Sequence, residues 1–149
     1  MTITVKTVKS PNLMRYDRIA RQRVRKAVAA GGQMVRTTAV KSINQNSGGG
    51  KVYKKYKPNR THTASAPYNP PNTDTGYLVN NIFLTFTADK LSAMVTSRAK
   101  YSAALEFGAR SINLEPRPFM VPALEENRKK IQDLFKKALR GMQPRRRSR

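Results

Sequence analysis

The residues of this chain that could carry out chemistry are few and lie far apart. His62 is the only histidine and the chain has no cysteine, which excludes most zinc and iron sites because these need several nitrogen or sulfur ligands. Glu106 and Glu115 lie nine residues apart in a turn-rich segment, where Arg110 and Arg117 are nearer partners than a second carboxylate. We predict no catalytic, metal or cofactor site, and we do not expect an enzyme.

Two short motifs are similar to catalytic or ligand-binding loops without their usual surroundings. Asp74-Thr75-Gly76 is similar to the catalytic tripeptide of aspartic proteases, but the apolar strands that flank that tripeptide are missing. Asp and Thr side chains bind nearby backbone N–H groups and Gly permits unusual φ angles, so these residues predict a cap or turn. Ser47–Lys51, SGGGK, lacks the preceding strand and the GKS or GKT ending of a phosphate loop.

Positive charge dominates the composition. The 149 residues fit one domain with a modest core, and they carry 30 Lys and Arg against 8 Asp and Glu, for a net charge of +22. Residues 1–60 contain only one carboxylate, Asp17. Such an excess of positive charge favours a polyanion or an acidic protein surface as partner.

Neither a membrane span nor a secretion signal is predicted. Apolar runs are much shorter than the roughly 18 residues that cross a bilayer. The first ten residues alternate polar and apolar types and lack the continuous apolar core of a signal peptide. We therefore expect the chain to act in a cytoplasm, or inside something assembled there.

Hydrophobic periodicity in the first half predicts one strand and one long helix. Residues 2–8 alternate in the manner of a short strand, and Pro11 ends it. Residues 15–43 carry one apolar stripe at helical spacing, with Arg15, Arg18, Arg25 and Arg36 on the opposite face. Gly31-Gly32 inside this helix predicts a kink or a close approach by another backbone.

A long basic loop is expected at residues 45–75. The segment has four prolines and little periodicity, and its length is typical of functional or disordered loops. We expect residues 46–68 to be mobile in the free protein and ordered on assembly. Its candidate polyanion contacts are Lys51, Lys54, Lys55, Lys57 and Arg60.

The second half predicts a hairpin followed by two helices. Residues 79–87 and 91–97 alternate as paired strands. A short helix over residues 101–107 ends at Gly108, and a helix of about 22 residues runs from Pro118 to Gly141. Its predicted inward residues are Phe119, Ala123, Leu124, Ile131, Leu134, Phe135 and Ala138.

These elements predict an α+β class, with the long N-terminal helix and the C-terminal helix packed on a small, mainly antiparallel sheet that carries the basic loop. Residues 1–141 form one domain in this interpretation. Residues 142–149 form a basic tail, whose candidate contacts with a polyanion or an acidic partner are Arg145, Arg146, Arg147 and Arg149.

Four motifs in order resemble those of the neck and tail-completion proteins at the head–tail junction of long-tailed double-stranded DNA bacteriophages. The resemblance covers residues 15–140, with Ser102 and Ala109 departing from the usual residues. The motifs are Ala66-Pro67 with Pro70-Pro71, then Thr75-Gly76-Tyr77-Leu78 with Asn81-Ile82, then Tyr101 to Ala109, and finally Arg117-Pro118-Phe119-Met120 with Pro122-Ala123-Leu124.

This resemblance implies a structural protein of the virion, assembled in the host cytoplasm, that forms a ring with six expected subunits at the head–tail junction. The implied partners are a portal-side connector or head-closure protein, a tail-terminator or tail-tube protein, and DNA in the channel. The alternative is an autonomous nucleic-acid-binding protein, with Tyr53 or Tyr56 stacking on bases. The motif positions expected to serve fold or assembly are Thr75, Gly76, Leu78, Tyr101, Glu106, Phe107, Gly108, Arg117, Pro118, Phe119 and Pro122.

Overall fold

The fold is α+β, as predicted, and contains two long helices and two small antiparallel sheets. The computed structural model describes residues 11–45 and 48–140, with side chains of the first helix from residue 17 onward. The predicted strand at residues 2–8, the helix stop at Gly141 and the tail lie outside the described residues. The elements are α1 Pro11–Gln45, β1 Gly49–Tyr56, β2 Asn59–Ser65, α2 Tyr77–Asn80, β3 Ile82–Phe86, β4 Ala93–Ser97, α3 Ser102–Phe107, a 3-10 turn Arg110–Ile112, and α4 Met120–Leu139.

The apolar stripe of α1 is buried along much of its length, as its spacing predicts. Ala27, Val35 and Ile43 lie beneath α4 and the second sheet. The arginines on the predicted opposite face are not all simply solvated. The Arg25 guanidinium donates to the Asp89 carbonyl at 2.8 Å, and that of Arg36 donates to the Ile82 carbonyl at 2.9 Å, so both tie α1 to the second hairpin.

The glycine pair in α1 marks a close approach, and the helix continues through it. A Cβ added to Gly31 would lie 3.4 Å from Ile131, and one added to Gly32 would lie 2.6 Å from Leu84 Cδ1 and 3.2 Å from Ala93 Cβ. The approaching atoms belong to side chains of α4 and the β3–β4 hairpin rather than to another backbone. The two glycines therefore let both elements pack closely on α1.

The β3–β4 hairpin is present, with shorter strands than predicted. Ile82 pairs with Ser97 and Leu84 with Val95 in an antiparallel register. Residues 79 and 80 belong to the short helix α2, which the alternating pattern failed to indicate. The buried face of the hairpin lies on α1, where Ile82 is fully buried.

The prediction of a long loop was wrong, because most of the segment forms the β1–β2 hairpin. Strands β1 and β2 pair from Tyr56 with Asn59 to Gly49 with Ser65, joined by a two-residue connection. Most β1 side chains are exposed. A two-stranded ribbon with no fully buried face needs no apolar alternation, since its ladder is formed by backbone hydrogen bonds. The period-2 signal of a strand is therefore missing from these residues.

The C-terminal helix begins at Met120, two residues after the predicted start. Phe119 and Ala123 are buried, and Ile131, Leu134, Phe135 and Ala138 are half-buried, but Leu124 is exposed and its predicted inward position was wrong. Buried Asn127 donates to the Thr38 hydroxyl at 2.8 Å, which joins α4 to α1. None of the described helices is long and apolar enough to cross a membrane.

Candidate assembly and polyanion-binding surfaces

Glu106 holds the beginning of α4. Its carboxylate, only 8% exposed, accepts hydrogen bonds from three consecutive backbone N–H groups, those of Phe119 and Met120 at 2.9 and 3.0 Å and that of Val121 at 2.9 Å. These are groups that a helix N-terminus leaves without intrahelical partners, and a negative charge is favourable there. Within the chain, Glu106 therefore forms this long-range helix cap rather than an ion pair with an arginine.

Arg117 connects the third and fourth motifs with the end of β2. Its backbone N–H donates to the Leu105 carbonyl at 2.6 Å, and its guanidinium donates to the carbonyls of Ser65 at 3.2 Å and Glu115 at 3.2 Å. The first motif joins the same region, because the Tyr68 N–H donates to the Pro116 carbonyl at 2.8 Å. Residues far apart in sequence thus form one hydrogen-bonded unit.

The motif glycines serve backbone geometry. Gly108 ends α3 with φ of 79°, and a Cβ there would lie 2.9 Å from the Leu114 carbonyl oxygen. Gly76 has φ of 75° immediately before α2, where the Thr75 hydroxyl accepts from the Tyr77 N–H at 3.3 Å. Both positions require a conformation that favours glycine. The predicted turn role of Thr75 and Gly76 agrees with this geometry.

Three aromatic residues of the motifs remain exposed. The rings of Tyr77 and Tyr101 lie 6.2 Å apart at a tilt of 36°, and each is about half exposed. Phe107 is 76% exposed at the end of α3. Burying an aromatic side chain is strongly favourable, so these three residues leave apolar surface exposed to solvent at a cost that a partner would remove.

The Asp74 carboxylate lies close to three basic side chains of the β1–β2 hairpin. Its carboxylate forms ion pairs with Lys55 and with Arg60, the latter at 2.7 Å, and the His62 Nδ1 lies 3.9 Å away. The hydrogen bond from Lys55 lowers the pKa of Asp74, with Arg60 and His62 adding to the effect against partial burial. This cluster anchors the hairpin to the segment before α2, and its central residue is the first carboxylate after Asp17.

The same region borders a cleft of about 540 Å³. Tyr53, His62 and Asp74 line one part, and Tyr101 and Arg117 line another. The Ser65 hydroxyl also lines the cleft and is buried without a hydrogen-bond partner among the described residues. His62 is therefore half-buried beside this cleft, on strand β2.

The five hairpin cations predicted to contact a polyanion divide into two groups. Lys55 and Arg60 pair with Asp74, whereas Lys51, Lys54 and Lys57 are exposed. Lys51 lies over the Tyr53 ring, 5.7 Å from its centroid, and nearby Tyr56 is exposed. Only the second group offers its charge to a partner without first losing an ion pair.

Some of the remaining motif positions are buried in the core, and others are exposed on the surface. Leu78 and Phe119 belong to the core, Pro118 is half-buried and Pro122 is exposed. Arg145, Arg146, Arg147 and Arg149 lie outside the described residues. Within residues 11–45 and 48–140, no group of three or more His, Asp or Glu is arranged to hold a metal ion.

Sequence reasoning missed the anchoring roles of Asp74, Arg36 and Asn127. A signal existed only for Asp74, since a single carboxylate within a long basic stretch attracts the neighbouring cations. Comparisons of the chain with protein-family models, with curated proteins and with solved structures find no match.

Proposed function

We propose that this chain is a structural protein of a phage neck, which forms a ring joining the head connector to the tail around the DNA channel. The proposed partners are other copies of the chain, a portal-side connector or head-closure protein, and a tail-terminator or tail-tube protein. The proposed role is noncatalytic and places the protein in the virion.

The observation that carries this proposal is the convergence of the four motifs. Glu106 of the third motif caps the helix that the fourth motif begins, and Arg117 of the fourth donates to the end of β2, next to the first. The second and third motifs meet where Tyr77 faces Tyr101. If the four motifs matched by chance, they would have no reason to contact one another in the fold.

The exposed aromatics of that unit support a role in assembly. Tyr77, Tyr101 and Phe107 lie on or beside the motifs, and aromatic residues are enriched at protein interfaces. Each added subunit also brings a charge of +22 to the ring. Acidic neighbouring proteins or the DNA of the channel would offset the resulting repulsion.

Particle assembly without the gene product tests the proposal. We expect filled heads and separate tails by electron microscopy, with joined particles restored by the intact gene. Native mass spectrometry of the purified protein, alone and with its connector, gives the number of subunits. Normally joined particles in the absence of the protein contradict the proposed function.

The exposed lysines of β1 favour a second candidate, an autonomous nucleic-acid-binding protein. Lys51, Lys54 and Lys57 would contact phosphates, and Tyr53 or Tyr56 would stack on bases. Binding of naked DNA should then weaken with a log–log salt slope of about −0.9 for each phosphate contacted.

Replacing the three exposed hairpin lysines with alanine separates the two candidates. Under the nucleic-acid hypothesis the salt slope becomes shallower by about 2 to 3, since each lysine releases about 0.9 counterions. A control variant with Lys129 and Lys130 of α4 replaced retains the original slope. Weak DNA binding by the unmodified monomer at physiological salt, with ring formation on a partner, favours the neck proposal.

A further inference from the structure

An uncharged groove separates α4 from the β3–β4 hairpin. Both elements pack on α1, which forms the floor around Gly31 and Gly32. The groove has a volume of about 490 Å³ and no charged residue lines it, although the chain carries 38 charged residues among 149. Met94 on one wall is 64% exposed, and Val121 and Leu124 on the other are also exposed.

The groove runs along the outer edge of β4. Side chains of a strand alternate between faces, so a cavity on one face would contact Ala93 and Val95 but not Met94. All three residues line the groove. Across the described part of the chain, β4 pairs with β3 alone, and its other edge is open.

The register identifies the backbone groups at this edge. Thr87 N–H donates to the Ser92 carbonyl at 3.2 Å, so hydrogen-bonded pairs alternate onward from that pair. Ala93, Val95 and Ser97 consequently direct their N–H and C=O groups away from β3. The Ser97 hydroxyl at the end of β4 is buried without a partner among the described residues. An edge of this kind is a template for an added strand.

We propose that the edge of β4 receives residues 2–8 of a second copy of this chain, an inference that rests on the self-assembly in the proposed function. The alternation of residues 2–8 would place Ile3, Val5 and Thr7 on one side of an added strand, where the two aliphatic side chains match the apolar groove. Thr2, Thr4, Lys6 and Val8 would lie on the other side. Uncharged walls allow two highly basic copies to approach without desolvating charged groups.

The segment must come from another copy because its own chain holds it too far away. Ala93 packs at Gly32, 21 residues along α1 from Pro11, which corresponds to about 31 Å of helix. Residues 3 and 5 are eight and six residues before Pro11 and reach at most about 29 and 22 Å from it. Neither can lie along β4 of the same chain, which continues farther from Pro11 beyond Ala93.

Cysteine cross-linking tests this contact cleanly, because the full chain has no cysteine. Chains with Val5→Cys are mixed with size-tagged chains carrying Val95→Cys and treated with a short bis-maleimide. These positions are the midpoints of the two strands, so the product depends little on strand direction. Lys129→Cys replaces Val95→Cys in the control, since residue 129 lies about 140° around α4 from Leu124. We expect the mixed product only with Val95→Cys.

A double variant, Ile3→Asp with Val5→Asp, measures the contribution of the contact to assembly. We expect subunit association to weaken roughly a hundredfold, about tenfold for each buried aliphatic side chain lost. Thr2→Asp with Thr4→Asp adds the same charge to the other side of the strand and should retain assembly. Both variants should keep the thermal midpoint of the monomer.

The outcomes separate this inference from the proposed function. Equal cross-linking at residues 95 and 129, or unweakened rings of the Ile3→Asp, Val5→Asp variant, overturns strand exchange and leaves the ring proposal standing. If the unmodified chain remains a monomer with its partners present, and the Val5→Cys and Val95→Cys chains give no mixed product, both proposals are overturned.

Discussion

Replacing Glu106 with alanine should destabilise the fold strongly, although the residue lies outside the apolar core. The substitution removes the carboxylate that accepts from three N–H groups at the start of α4. Phe119 is buried, so its orphaned N–H costs about 1–3 kcal/mol. The N–H groups of Met120 and Val121 are more accessible to water, and losing their bonds costs about 0.5–1 kcal/mol each.

Loss of the carboxylate charge adds about 0.3–1 kcal/mol at the positive end of the helix. The expected total is about 2–6 kcal/mol, a large part of the roughly 5–15 kcal/mol that stabilises a domain. Glu106→Gln keeps one acceptor oxygen but turns an amide N–H₂ towards one backbone donor. Its expected cost is therefore about half as large, near 2 kcal/mol.

Urea unfolding followed by far-ultraviolet circular dichroism measures both values, with the denaturant slope expected to remain unchanged. Glu126→Ala is the matched control, because that carboxylate is exposed on α4, the helix that Glu106 caps, and it should change stability by less than about 0.5 kcal/mol. If Glu106→Ala costs no more than Glu126→Ala, the cap is not a stabilising contact and this reasoning is refuted.

Three further predictions concern the core, the glycine pair and the acidic cluster. Phe119→Ala should cost about 3–5 kcal/mol because the side chain is fully buried, whereas half-buried Phe135→Ala should cost less, about 1–3 kcal/mol; equal values in denaturant unfolding would contradict this difference. Gly32→Ala should destabilise by about 1 kcal/mol through its 2.6 Å clash, while Gly31→Ala should be neutral or stabilise by up to about 1 kcal/mol; thermal unfolding should give these opposite trends. The ion pairs that lower the pKa of Asp74 in the folded state stabilise the fold at pH values above the ordinary pKa of 3.8. This stabilisation is lost as the pH falls through the lower folded pKa. Asp74→Asn should therefore flatten acid unfolding below about pH 4, and an unchanged pH profile would contradict that role.

Sequence periodicity predicted the helices and strands that bury the side on which their apolar residues recur. The stripe of α1 and the alternation of β3 and β4 place apolar residues on one side, and burial of those sides produces the observed packing. The β1–β2 hairpin was missed because its strands bury little. Its register depends on backbone pairing, and Asp74, which anchors it, lies beyond β2.

Sequence reasoning predicted the turns of the candidate site but not which of its aromatic residues are exposed. Residue types alone indicated turns at Gly76 and Gly108, because their positive φ values are local properties of the backbone. The exposure of Phe107 had no sequence signal, since an aromatic residue in a motif is equally compatible with the core.

The sequence by itself determined the charge, the helical and strand periods, and the positions where only glycine fits comfortably. These properties depend on residue type and on neighbours along the chain. Tertiary structure alone decided that Glu106 caps α4, that Lys55 and Arg60 meet Asp74, and that an uncharged groove follows the edge of β4. Those contacts join residues whose separation in sequence carries no periodic signal, so they exist only once the packing of the elements has fixed the distances between them.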